Sequence, residues 1–184
     1  MNWLKDVKIY FKPSISPVYD QDFLPLGLFF QWYERQAEKS QEEMGLALER
    51  ENGLISTWKT KILPLDEKTL PLTICFVDRL VKFLLWQKGA FKIYFYGPEI
   101  IYQQIKERYY SQGERAFDVD LMSTVYEQPF SVIKIRKEEL PEEQQSPIFL
   151  GGHVDGSRLG FDLGASDFKV AALQDGQVVF SEEI

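Results

Sequence analysis

Residues 159–180 hold the groups in this chain best suited to phosphate chemistry. Asp162 lies between Phe161 and Leu163 on an alternating stretch. Gly164, Ala165, Ser166 and Asp167 interrupt it, and Phe168, Lys169 and Val170 resume it. A carboxylate at a strand end can hold the hydration shell of Mg²⁺, which keeps several waters and takes few protein carboxylates. A Gly-containing turn lets an anion come close to successive backbone N–H groups. The Ser166 hydroxyl would add a donor and Lys169 a positive charge. Together, Asp162, Gly164, Ala165, Ser166 and Lys169 are the candidate phosphate-binding residues, with Asp162 on the metal side through water. Asp175-Gly176 then favours a two-residue hairpin turn leading into Val178, Val179 and Phe180.

This strand–turn–strand–hairpin pattern resembles the first phosphate motif of the ASKHA superfamily (acetate and sugar kinases, actin), and within it the ROK family of repressors and sugar kinases. Gly160, Asp162, Leu163, Gly164, Ser166, Phe168, Lys169, Val170, Asp175 and Gly176 match the family pattern. Ala165 stands where a second Gly is usual, Ser166 stands for Thr, and Asp167 takes a position that is often Lys. Ala165 narrows the approach to the backbone, and Asp167 adds negative charge where phosphates would sit. Both weigh against ordinary ATP affinity.

The resemblance covers residues 159–184. It implies an α/β protein in which a β-hairpin opens a ribonuclease-H-like (actin-like ATPase) domain. It also implies a two-lobed kinase that transfers the γ-phosphoryl group of Mg·ATP to a sugar hydroxyl. Such a kinase draws a catalytic Asp, a second phosphate loop and an adenosine-binding segment from later sequence, and no general base can be assigned here. The resemblance therefore implies the N-terminal part of a longer ROK-like protein, inactive as this piece, with ATP and Mg²⁺ as cofactors of the complete protein. A second reading stands beside it: a non-catalytic binding or regulatory protein that keeps the hairpin as a relic or assembly element. Ala165 and Asp167 favour that second reading.

About 150 residues precede the motif, and their patterning predicts a separate α/β domain over 1–136 with a mixed sheet and helices. Val7, Ile9 and Phe11 alternate as a strand, and Asp22 is a candidate N-cap for a helix through Leu28, Phe29, Trp32, Tyr33 and Gln36. Leu46, Leu48 and Arg50 lead into Glu51-Asn52-Gly53, and Ile55, Thr57, Trp58, Thr60 and Ile62 return. Asn-Gly favours the positive φ of a type I′ turn. Phe76, Val77, Leu80, Val81, Leu84 and Leu85 recur at helical spacing. Phe91–Tyr96 reads as a strand, Gly97-Pro98-Glu99 as the opening of a helix, Val119–Tyr126 as a short element and Phe130–Ile135 as another strand. Residues 137–158 are acidic, contain Pro and Gly, and read as a linker. The segments beginning at Gly45 and at Leu159 both start a hairpin. They are either two ordinary hairpins or two copies of one unit, the first degenerate.

Composition narrows the function classes. Residues 137–184 carry 3 Lys/Arg against 10 Asp/Glu, which is the whole excess of the −7 net charge. No dense basic run exists, so nucleic acid is not the expected partner and a DNA-binding repressor of the same family is disfavoured. No apolar run of about 18 residues or signal layout appears, so a cytoplasmic location without membrane contact is expected. One Cys and one His exclude an internal disulfide and a zinc site of the usual ligands. Cys75 lies in an apolar run and reads as buried and inert. The expected partners are a small sugar and, compatibly, further copies of the chain.

The remaining constellations read as structural. Gly97-Pro98-Glu99 is a strand-to-helix cap rather than an anion site, and His153 with Asp155 is a solvated turn rather than a base pair. Trp32-Tyr33 and Tyr109-Tyr110 are core or groove-lining rather than sugar platforms.

Overall fold

Asn52 and Gly53 adopt φ of 58° and 70°, and the Leu54 N–H donates to the Glu51 carbonyl at 3.2 Å. This tight left-handed turn joins β1 (Glu43–Glu49) to β2 (Ile55–Lys61), and the strands pair antiparallel from Glu43 opposite Lys61 to Glu49 opposite Ile55. The computed structural model describes residues 14–15, 17–20, 23, 25–145 and 152–184. The expected strand at Val7–Phe11 and the Asp22 cap lie outside the described residues. The chain divides into two compact units, Met1–Gln145 and Ser146–Ile184.

Unit 1 is a mixed α/β fold with an unclosed mixed sheet and several helices. Helix α1 (Leu26–Ala37) follows Pro25 and buries Phe29, Tyr33 and Ala37, one per turn. Helix α2 (Leu70–Lys88) is the longest among the described residues. Before it, the Asp66 carboxylate accepts the N–H groups of Lys68 and Thr69, while Thr69 Oγ1 accepts the Asp66 N–H at 3.0 Å. These bonds fold the turn that leads into the helix, and Pro71 sits in its first turn, where no intrahelical donor is lost. Gly89 closes it at φ 73°, donating to the Leu85 carbonyl at 2.8 Å.

Strand β3 (Lys92–Tyr96) pairs antiparallel with β1. Helices α3 (Glu99–Arg108) and α4 (Ala116–Tyr126) cross over to β4 (Ser131–Lys134), which lies parallel to β3. The sheet order is β2-β1-β3-β4. Met44, Leu46, Leu48, Ile93 and Phe95 alternate onto one face and join Phe76, Leu80, Leu84 and Leu85 of α2 in a single core.

On the other sheet face, the start of the acidic segment lies down as a strap. Lys137 pairs with Glu43, the Leu140 side chain approaches Gly45, and Thr57 Oγ1 donates to the Pro141 carbonyl at 2.8 Å. Gln144 exchanges two 2.9 Å backbone hydrogen bonds with Ile55. Gly45 makes room for this arrangement, because a Cβ there would collide with the Tyr96 ring. The first part of the expected linker, through Gln145, thus belongs to the fold of unit 1.

Unit 2 is a three-stranded antiparallel sheet of β5 (Ser157–Leu163), β6 (Phe168–Gln174) and β7 (Gln177–Glu183), in that order. Asp175 and Gly176, at φ 50° and 79°, make the expected tight turn. The register sorts most side chains by chemistry. One face carries Leu159, Phe161, Leu163, Phe168, Val170, Ala172 and Phe180, with Glu182. The other carries Arg158, Asp162, Lys169, Ser181 and Glu183, with Leu173 and Val178. No described residue of unit 2 is buried, whereas unit 1 buries its whole core. Among the described residues, no helix is long and apolar enough to cross a membrane.

Candidate functional site

The turn between β5 and β6 brings the candidate phosphate-binding residues together. Asp162 and Lys169 face each other across the strands, on the polar face, and Gly164, Ala165 and Ser166 form the exposed loop between them. Asp167 folds back over the loop: a Cβ on Gly164 would stand 2.5 Å from Asp167 Oδ1 and 2.8 Å from its carbonyl oxygen. Glycine at 164 therefore accommodates the chain's own carboxylate. Lys169 Nζ lies 3.7 Å from Asp167 Oδ2 and 3.5 Å from Glu183 Oε1. Its charge is thus shared between two acids, and neither is Asp162. The Asp162 carboxylate has no hydrogen-bond or ion-pair partner among the described residues.

The turn thus sets three carboxylates, Asp162, Asp167 and Glu183, around one lysine. Lys169 is already paired, and the close approach to Gly164 is taken by an anion. No group of three or more His, Cys, Asp or Glu side chains among the described residues is placed to hold a metal ion.

The other constellations resolve by their partners. Glu99, at the N-terminus of α3, accepts from Lys134 and, at 2.6 Å, from Gln103, and those bonds hold its carboxyl below the usual range. The helix end is thus occupied by its own acid. The His153 carbonyl accepts the Arg158 Nε–H at 2.9 Å. Asp175 accepts from Gln174 and from the Gly156 N–H, which lowers its carboxyl too. Tyr33 is fully buried and stacks on Phe76 at 4.1 Å. Its hydroxyl shares a 2.7 Å hydrogen bond with Thr73 Oγ1 and accepts the Leu63 N–H at 3.1 Å. Burial pushes it up to about 12. Tyr109 is buried beside Phe130. Cys75 is buried as expected, and its thiol is pushed up to about 12 by desolvation.

A charged cluster that sequence reading missed lies where α2, α3 and α4 meet. Asp78 is fully buried and accepts from Arg115 Nε at 3.2 Å and again from Arg115 Nη2. Arg108 Nη1 stands 3.5 Å away and also pairs with Glu114 at 3.3 Å. The only sequence signal was an Asp inside the apolar run Phe76–Val81, an uncommon place for a carboxylate that lacks a partner.

One helical turn along, buried Asp118 accepts Trp86 Nε1–H at 2.7 Å and pairs with Lys82 at 3.4 Å. Trp86 itself is exposed and stacks on Phe117 with ring centroids 6.3 Å apart. Arg79, Lys82, Phe83, Trp86 and Gln87, with Leu26 of α1, line a shallow cleft of about 470 Å³. Of its aromatic lining, the Trp86 indole is fixed by its hydrogen bond to Asp118.

No protein-family model matches this chain, and no curated protein or solved structure is significantly similar to it.

Proposed function

We propose that this chain is a non-catalytic binding protein, with its ligand-contacting surface in unit 1 and the ROK-like hairpin of unit 2 kept as a relic or assembly element. The observation that carries this reading is the placement of Asp167, which lies over Gly164 and pairs with Lys169, so the loop's close approach and its lysine are both engaged by the chain's own carboxylate. An anion brought there would meet Asp162, Asp167 and Glu183 with one shared ammonium between them. The Phe83–Trp86 cleft gives unit 1 the apolar, aromatic surface that recognition uses. Calorimetric titration of Mg·ATP into the protein is expected to give no saturable heat. Saturable binding that disappears in Asp162→Ala would reject the reading and favour a nucleotide site.

One observation favours the other reading, in which unit 2 opens the ribonuclease-H-like domain of a ROK-type sugar kinase. Its sheet has one largely apolar face, which helices cover in a layered α/β domain. Under that reading, the whole gene product phosphorylates a hexose with ATP, and Asp162→Ala lowers the rate sharply. Equal rates in both proteins would remove Asp162 from the chemistry.

A further inference from the structure

The apolar face of unit 2 needs an occupant, and we infer that it is the same face of a second copy of this chain. Leu159, Phe161, Leu163, Phe168, Phe180 and Ile184 all point to that side and are between 42% and 81% exposed. Ile184 belongs with them because it exchanges two 3.0 Å backbone hydrogen bonds with Phe168. A monomer seldom shows so many large apolar side chains side by side, and such patches mark interaction surfaces.

Area and charge both favour self-pairing. These side chains would remove on the order of 600 Å² per copy from water, or about 1,200 Å² in a pair, which reaches the lower bound for a stable interface. Two sheets stacked face to face sit about 10 Å apart, with their inner side chains interdigitated. The only charged group on this face is Glu182, on the edge strand β7, where its carboxylate stays at the rim of such a stack. Arg158, Asp162, Lys169 and Glu183 all lie on the opposite face, so pairing buries no ion. The small Ala172 on central strand β6 leaves room at the middle, where a two-fold axis brings identical residues together.

The inference rests on the non-catalytic reading, since in a complete kinase the same face would take further layers of its own domain. Sedimentation equilibrium of the whole chain, run from low to high micromolar concentration, is expected to show the apparent mass doubling. Phe161→Glu is expected to hold the mass at one chain, and Arg158→Glu, on the polar face, to leave the doubling intact. Phe161 is exposed, so its loss does not threaten the fold, and circular dichroism checks this. Crosslinking adds a second measurement, because the native Cys75 is buried. A short bismaleimide should join copies through Ala172→Cys and not through Ala171→Cys, its neighbour on the other face.

A single-chain mass at every concentration would overturn the inference. So would a dimer that survives Phe161→Glu, which would point to edge pairing through β7. A monomer that also binds Mg·ATP would take the functional reading down with it, whereas a monomer that does not would remove the dimer alone.

Discussion

Helix α2 and strand β5 are both rich in large apolar residues, and their fates are opposite. Along α2, Leu72, Cys75, Phe76, Val77, Leu80, Val81, Leu84 and Leu85 are buried, with a charged and aromatic stripe left at the surface. Along β5, every residue is exposed. The difference lies in what packs against each element. The described residues of unit 1 supply a sheet, three other helices and a strap. Unit 2 supplies one amphipathic layer, and a layer with one apolar face has nothing of its own to bury it against.

Breaking the buried charge cluster tests this comparison hardest. Asp78→Ala leaves Arg115 buried without its bidentate partner, and is expected to destabilise unit 1 by about 3–5 kcal/mol. Urea unfolding followed by tryptophan fluorescence reads the change. A loss under about 1 kcal/mol would mean that water reaches the cluster.

Alkaline pH probes the same core more gently. Cys75 and Tyr33 both have folded values near 12, above their ordinary 9.0 and 10.0. The folded state therefore holds these protons longer than the unfolded chain. The stability they contribute is complete below pH 9 and is lost as pH rises towards 12, at roughly 1.4 kcal/mol per pH unit for each group. The urea midpoint of unit 1 should fall over that range, and Cys75→Val should flatten the part between pH 9 and 10. Ellman's reagent at pH 8 should leave Cys75 unmodified until urea unfolds the unit.

Gly45→Ala tests the strap. The added methyl meets the Tyr96 ring, so the cost should be about 1–3 kcal/mol, with faster proteolysis of residues 137–145. If stability is unchanged, Tyr96 and Leu140 move aside freely.

The smallest effect belongs to the site that first drew attention. Asp162→Ala removes an exposed carboxylate without a partner and should change stability by no more than about 0.5 kcal/mol. A larger loss would show that the polar face of unit 2 is held by more than backbone pairing.

Much of the local structure was legible because its causes are local. Asn52-Gly53 and Asp175-Gly176 specify their turns through backbone preference alone, and both turns form. The spacing from Phe76 to Leu85 marks α2, and Leu70 begins it with Pro71 where proline is tolerated. The strap was not legible. An acidic, proline-containing run reads as a linker, and its docking depends on the missing side chain of Gly45 and on a hydroxyl 84 residues away at Thr57. The candidate turn was legible in its residues but not in its electrostatics. Nothing in the spacing said that Asp167 would cover Gly164 or that Lys169 would turn to Glu183 on a neighbouring strand.

The sequence by itself determined the type and order of most elements and which residues meet in the β5–β6 turn, because periodicity and turn preference act over a few residues. Only the tertiary structure decided which charges are neutralised. Asp78 finds Arg115 across 37 residues, Asp118 holds Trp86 across 32, and Lys169 is divided between Asp167 and Glu183. Coulomb energy depends on distance and burial, and chain folding sets both.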